Sequence, residues 1–196
     1  MMAMAHAGFV FLSMTKTGST TIQREFERHA LLVAKRPPPM KHMTARFFES
    51  SMAPVLAHYG FERDTYELVS MVREPVDWAA SWWRYRGRPG NRGKKTWTGD
   101  MGFDEFADRI CTGEIYLGSS AKFVSSLDGD VLVERLYRYE HLDRAAAWMA
   151  DKLGVKVPEL APANVSPERA AAIAPATRAK LEEHYAADLA IYRSAL

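Results

Sequence analysis

Two short apolar runs, Phe9 to Met14 and Tyr66 to Val72, each stop at a polar turn and pass into a helical pattern. Neither alternates between apolar and polar residues. A run of that kind fits a strand buried on both faces, which requires helices on both sides of the sheet. After the first run, Ile22, Phe26 and Ala30 fall at i, i+4 and i+8 of a helix starting near Ser19. After the second, Pro75 suits the first turn of a helix carrying Val76, Ala79, Ala80 and Trp83.

The rest of the chain continues the alternation. Leu31 to Ala34 reads as a strand stopped by the prolines at 37–39. Thr44 to Tyr59 reads as a helix interrupted near Pro54 and closed by Gly60. Phe103, Phe106, Ala107 and Ile110 have helical spacing, and Val131 to Val133 reads as a strand that Arg138-Tyr139-Glu140 extends. Asp143 is placed to cap a helix with Ala147, Ala150 and Leu153, ended by Gly154. Ser166-Pro167-Glu168 is a further helix start, and Leu181, Tyr185 and Leu189 share one face of a C-terminal helix. The pattern predicts an α/β fold with a central parallel sheet flanked by helices. With 196 residues, a single domain spanning 1–196 is expected. In such sheets ligands bind at the carboxyl ends of the strands, so the turns after Met14 and Val72 are the places for chemistry.

Composition narrows the partners. Lys plus Arg number 26 and Asp plus Glu 24, a net charge of +2 that argues against bulk nucleic-acid binding. The basic residues are uneven: Arg84, Arg86, Arg88, Arg92, Lys94 and Lys95 lie within one segment that holds no acid. That segment, rich in glycine, reads as a loop facing an anion. The lone Cys111 excludes an internal disulfide framework and a multi-cysteine metal site, and reads as a small buried hydrophobe. No apolar run approaches the ~18 residues of a membrane span. The opening MMAMAHAGFVFLSM lacks the basic start and cleavage site of a signal peptide and reads as a buried first strand, which makes the cytoplasm the expected location.

The first turn is Thr15-Lys16-Thr17-Gly18-Ser19-Thr20-Thr21. Gly18 permits a tight bend, the amides of the new helix N-terminus point outward, Lys16 adds positive charge, and three hydroxyls follow. This is a cradle for a phosphate-like anion; the plainer reading is a turn whose hydroxyls only cap the helix. It differs from the GxxxxGK[ST] loop of nucleotide triphosphatases, because the lysine precedes the glycine. In the second turn, Arg73-Glu74-Pro75 leaves a strand, and Ser81 stands roughly 9 Å up the helix from Pro75. A long guanidinium and that hydroxyl can grip one phosphate together. The plainer reading pairs Arg73 with a carboxylate and leaves Ser81 an ordinary helix residue.

Taken together, the two turns resemble those of sulfotransferases that use 3′-phosphoadenosine 5′-phosphosulfate (PAPS). The resemblance implies a P-loop-like sulfotransferase fold. It implies that Lys16, Thr17, Gly18, Ser19, Thr20 and Thr21 hold the 5′-phosphosulfate, and that Arg73 and Ser81 hold the 3′-phosphate. Arg138-Tyr139-Glu140-His141-Leu142 resembles the family's Tyr-Glu-x-Leu segment, which implies that Tyr139 lies near the adenine. Asn164-Val165-Ser166 and Asp188-Leu189-Ala190-Ile191-Tyr192 are similar to late features of compact bacterial members, and the nearer likeness is to the bacterial and Golgi-type branches. Two departures stand out: Met14 sits where many members have proline, and no late Arg-Lys-Gly segment is present.

The activity so implied moves a sulfuryl group from PAPS to an acceptor hydroxyl, releasing 3′,5′-bisphosphoadenosine without a metal. Lys16 neutralises the leaving phosphate. For the base, His42 leads: it follows the expected second strand and proline break, on the sheet edge that carries Lys16. Glu25, His29, Glu49 and His58 remain open as alternatives, as does a plain solvated Lys41-His42 pair. Trp82, Trp83, Tyr85 and Trp97 offer aromatic faces beside cations, suited to a carbohydrate or small-molecule acceptor, anionic ones included. Two other classes stay in view: a P-loop-like ATP-dependent kinase, and a nucleotide-binding module without catalysis. These motifs specify neither the acceptor nor an oligomeric state.

Overall fold

The computed structural model describes residues 1–161 and 172–196; the helix start at Ser166 and the Asn164-Val165-Ser166 segment lie outside them. Five strands form one sheet: β1 (Met2–Met4), β2 (Phe9–Leu12), β3 (Leu32–Val33), β4 (Glu67–Val72) and β5 (Arg135–Arg138), in the order β3-β1-β2-β4-β5. The helices are α1 (Ser19–Phe26), α2 (Pro38–Lys41), α3 (Ala45–Phe47), α4 (Ala53–His58), α5 (Pro75–Arg86), α6 (Phe103–Cys111), α7 (Ser120–Val124), α8 (Leu142–Leu153), α9 (Pro175–His184) and α10 (Ala186–Ser194).

The sheet is mixed, which corrects the all-parallel expectation. β2, β4 and β5 run parallel, while β1 is antiparallel to both β2 and β3. The cause lies in the opening stretch, which is a hairpin rather than one strand. A short 3-10 turn at Ala5–Ala7 ends at Gly8, whose φ of +79° reverses the chain and pairs Met2 with Phe11. Only glycine enters that backbone region without strain.

Successive side chains along a strand point to opposite faces, and both faces are covered here. Phe9, Phe11, Val69, Met71 and Tyr137 pack against Ile22 and Phe26 of α1 and Ala145, Ala146 and Met149 of α8. Val10, Leu12, Leu68, Val72 and Leu136 pack on the other face against α5, α6 and α7, through Val76, Ala79, Phe106, Ile110 and Phe123. Each buried Phe or Leu contributes about 2–3 kcal/mol of transfer free energy, so the sheet is anchored from both sides.

Three local expectations shift. The last strand is Arg135–Arg138, and Val131 makes only an isolated bridge to Ser125. The charged ends of β5 are held by partners: Arg135 Nε donates to Glu67 at 2.8 Å, and Arg138 donates to the carbonyls of Tyr192 and Arg193. The 45–58 helix is not broken at Pro54; a π-helical turn, Phe48–Met52, widens the backbone just before it and accommodates the ring. The C-terminal helix is two helices meeting at Tyr185, with Leu181 and Tyr185 buried and Leu189 half-buried.

The parallel trio decides where chemistry can happen. The chain leaves β2, β4 and β5 at the same sheet edge, which brings the turns after Met14, Val72 and Arg138 together.

Candidate functional site

The turn after β2 is held from behind. Thr17 Oγ1 donates to Met14 O at 3.0 Å, Trp78 Nε1 to Thr15 O at 2.9 Å, and Arg73 Nη1 to Lys16 O at 3.2 Å. Three successive carbonyls are thus fixed by side chains. Lys16 and Gly18 both have left-handed backbone, φ +64° and +72°. Such a state costs a side-chain-bearing residue on the order of 1 kcal/mol or more, and the three anchors hold Lys16 in it. The first bonds of α1 run from Thr21 and Ile22 N to Gly18 O, so the amides of Ser19 and Thr20 precede the hydrogen-bonded turn. Gly18 has a second constraint: a Cβ there would lie 3.0 Å from Leu142 Cδ1 and 3.3 Å from Tyr139 Cε2.

A cleft of about 560 Å³ opens over this turn. Lys16, Gly18, Ser19, Thr20 and Thr21 line one side of it. Arg73 and Ser81 line another, with His42 and Tyr139 completing the residues named from the sequence. Thr17 is the exception. Its side chain is fully buried and spends its hydroxyl on Met14 O, so it shapes the turn and is absent from the lining.

Arg73 pairs with a carboxylate, the plainer of its two sequence readings, and also lines the cleft. Its Nε donates to Asp77 Oδ2 at 2.5 Å, and its guanidinium lies 4.2 Å over the Tyr139 ring. Those bonds use two of its five donors while the residue still faces the cleft. Asp77 also receives Arg84 at 3.4 Å, so one carboxylate serves two cations of the wall. The i, i+4 spacing of Arg73 and Asp77 carried that signal in the sequence.

The lining is basic. Lys16, Lys41, Arg73 and Arg84 face the cleft, and among the described residues no carboxylate does. The Lys16 ammonium lies 4.4 Å from the Tyr85 ring centroid and 5.9 Å from that of Trp82. Among the described residues neither Lys16 nor Lys41 is paired with a carboxylate. Burial, with Arg88, Arg73 and Arg84 nearby, lowers the Lys16 pKa to about 8. A site in which cations disfavour one another in this way gains by taking up an anion.

His42 Nδ1 lies 2.6 Å from Ser13 O. A carbonyl only accepts, so Nδ1 carries the proton and Nε2 of the neutral ring is the free acceptor. Burial lowers the His42 pKa despite that contact, and Lys41 lowers it further. The other candidate bases stand elsewhere. Glu25 pairs with Arg24, His29 accepts from Arg28, Glu49 pairs with Arg63, and His58 sits edge-to-face with Tyr59; none lines the cleft.

The aromatic candidates divide. Trp82 and Tyr85 line the cleft, while Trp83 is core, donating to Met101 O at 2.8 Å, and Trp97 lies outside the lining. Cys111 is half-buried, with its thiol toward Lys180 O. Leu160 is a lining residue that sequence reasoning did not single out, while Thr15 and Leu142 belong to segments it named without giving either a role in the site. Leu142, which meets the same point over Gly18 as Tyr139, makes that end of the lining apolar, and nothing in the spacing of Leu160 marks it.

No known family model matches this chain, and a search of curated proteins finds no relative. Among the described residues no helix is long and apolar enough to cross a membrane.

Proposed function

We propose that the chain is a PAPS-dependent sulfotransferase, with the P-loop-like fold of that family, acting on an acceptor hydroxyl. One observation carries the reading: the lysine turn after β2 and the arginine–serine pair after β4 line one cleft, with Tyr139 between an apolar end and Arg73. The residues present fit the nucleotide. The glycine bend and the leading amides of α1 suit the 5′-phosphosulfate, Arg73 and Ser81 suit the 3′-phosphate, and Leu142, Leu160 and Tyr139 suit the base.

When bound, PAPS supplies the sulfuryl group and departs as 3′,5′-bisphosphoadenosine. Lys16, in its ammonium form, neutralises charge on the phosphate side. His42 takes the acceptor's proton at Nε2, while Ser13 O holds the ring in the required tautomer. The turn and the clasp hold the two ends of the nucleotide, so that positioning and electrostatics do most of the work, as in phosphoryl transfer.

The test is a thermal-shift and calorimetric comparison of 3′,5′-bisphosphoadenosine with AMP and ATP. The bisphosphate is expected to raise the unfolding midpoint most, in proportion to RT ln(1 + [L]/Kd). Tighter binding of ATP with a magnesium requirement points to a kinase instead. Tight bisphosphate binding with no turnover of PAPS on any acceptor points to a non-catalytic module. Within this reading, Lys16→Ala lowers turnover at least tenfold more than it lowers nucleotide affinity, and an equal loss in both removes Lys16 from the chemical step.

A further inference from the structure

The turn that carries Lys16 extends past the sheet. Pairing between β2 and β4 ends at Leu12 with Ser70, and α1 begins only with the bonds to Gly18 O. Between those points, side chains hold the carbonyls of Met14, Thr15 and Lys16.

These three bonds differ in what they fix. The Thr17 hydroxyl bonds within the turn, so it shapes the turn without locating it. Arg73 reaches across from the end of β4, but its guanidinium also serves Asp77 and, on the reading above, the 3′-phosphate. Trp78 reaches across from α5, and its indole N–H donates to Thr15 O at 2.9 Å.

Trp78 has little freedom to move. It is buried in the first turn of α5, with its own amide bonded to Glu74 O at 2.8 Å. Its ring is set edge-to-face with Trp82 at 6.4 Å and with Tyr185, at the joint of α9 and α10, at 6.0 Å. At the far edge of the ring, a Cβ on Gly118 would stand 3.9 Å from Cη2. Ser81 follows Trp78 at i+3, on the same side of α5. One helix therefore grips the lysine turn through Trp78 and lines the cleft through Ser81.

We propose that Trp78 is a positioning residue that sets the spacing between the lysine turn and the arginine–serine pair, and with it the preference for a nucleotide phosphorylated at both ends. The inference rests on the nucleotide reading above and adds a specificity determinant outside the cleft lining. A ligand held at two points gains from the second grip only where the grips match its own spacing. A ligand held at one point is indifferent to that spacing. Loss of the indole N–H leaves each grip in place and lets the turn shift relative to α5.

The experiment is calorimetry on the full chain, comparing 3′,5′-bisphosphoadenosine with AMP. Trp78→Phe removes the N–H. A second form carries 3-benzothienylalanine in place of Trp78, which keeps the fused rings, has sulfur where the N–H was, and decides the matter if Trp78→Phe does not fold. Trp83→Phe is the control, because buried Trp83 on the same helix donates its N–H to Met101 O at 2.8 Å, a core bond that does not touch the turn. Both changes at position 78 are expected to shrink the preference for the bisphosphate over AMP about fivefold or more, with AMP affinity changing less than about twofold. Trp83→Phe is expected to lower the unfolding midpoint and leave the preference as it was. An unchanged preference after loss of the Trp78 N–H, an equal loss of both nucleotides, or the same fall in preference from Trp83→Phe overturns the inference while leaving the nucleotide reading in place. A native chain that binds the bisphosphate no better than AMP overturns both.

Discussion

Lys16 is held in a state that its own chemistry disfavours. Its backbone is left-handed, its side chain is largely buried, and its nearest charged neighbours are arginines. With a pKa of about 8 rather than ~10.4, it is substantially neutral above pH 8 in the free protein. A bound phosphate favours the ammonium form, so binding 3′,5′-bisphosphoadenosine near pH 8.5 must draw a proton from solution. The binding enthalpy is then expected to vary with the ionisation enthalpy of the buffer, and Lys16→Met to abolish the variation. If the proposed transfer holds, the sign also governs turnover: kcat/KM is expected to fall as pH rises through about 8, the free-protein value. With His42 as the proposed base, the opposite limb is expected to be its own. Its depressed pKa keeps the ring neutral below the ordinary ~6.5, so the acid limb of kcat/KM lies on the acid side of that value. His42→Ala is expected to lower kcat by about 10²–10⁴ and to remove that limb, read from a pH–rate profile.

At the scale of elements, the turn between β2 and α1 depends on the absence of one methyl group. Gly18→Ala forces a side chain into left-handed backbone and against Leu142 and Tyr139. A cost of about 1–3 kcal/mol is expected from denaturant unfolding, together with weaker bisphosphate binding because Tyr139 is displaced. A second element depends on a residue far along the chain. Buried Asp188 accepts from the hydroxyls of Ser119 and Ser120 and from the Ser120 amide, closing the N-terminus of α7 onto α10. Asp188→Ala leaves those donors buried and is expected to cost about 2–4 kcal/mol by the same measurement. These two cases divide what sequence can reveal. Gly18 was legible because its constraint is local, a lysine, a glycine and hydroxyls where a strand meets a helix. The bonds of Asp188 were not, although its segment was named for its resemblance, because its partners lie 68 or more residues away and its type carries no periodic signal. The β1–β2 hairpin was hidden for another reason: with both sheet faces covered, Met2 to Leu12 is almost uniformly apolar, and the reversal rests on Gly8 alone. The edge strand β5 was placed too early: Arg138 was read as an extension of a strand at Val131 to Val133, while Arg135 looks like a loop residue until Glu67 is in place.

In the whole molecule, the cleft spans the two layers that pack on opposite faces of the sheet. Its lysine turn feeds α1, and Tyr139 precedes α8, both in the layer packed on Phe9 and Phe11. Arg73 and Ser81 belong to the approach and body of α5, in the layer packed on Val10 and Leu12. A ligand gripped at one end touches one layer; a ligand gripped at both ties the layers across the sheet edge. Amide hydrogen exchange separates the two cases. With 3′,5′-bisphosphoadenosine, protection is expected to rise together at residues 15–21, at 139–142 and at the start of α5. With AMP, which lacks the 3′-phosphate, the rise is expected at the first two regions but not at α5. The antiparallel edge formed by β1 and β3 lies outside the cleft lining and is expected to respond to neither nucleotide beyond the global gain in stability. Protection confined to the lysine turn with both nucleotides would mean that Arg73 serves Asp77 alone, and the two-ended grip would have to be given up.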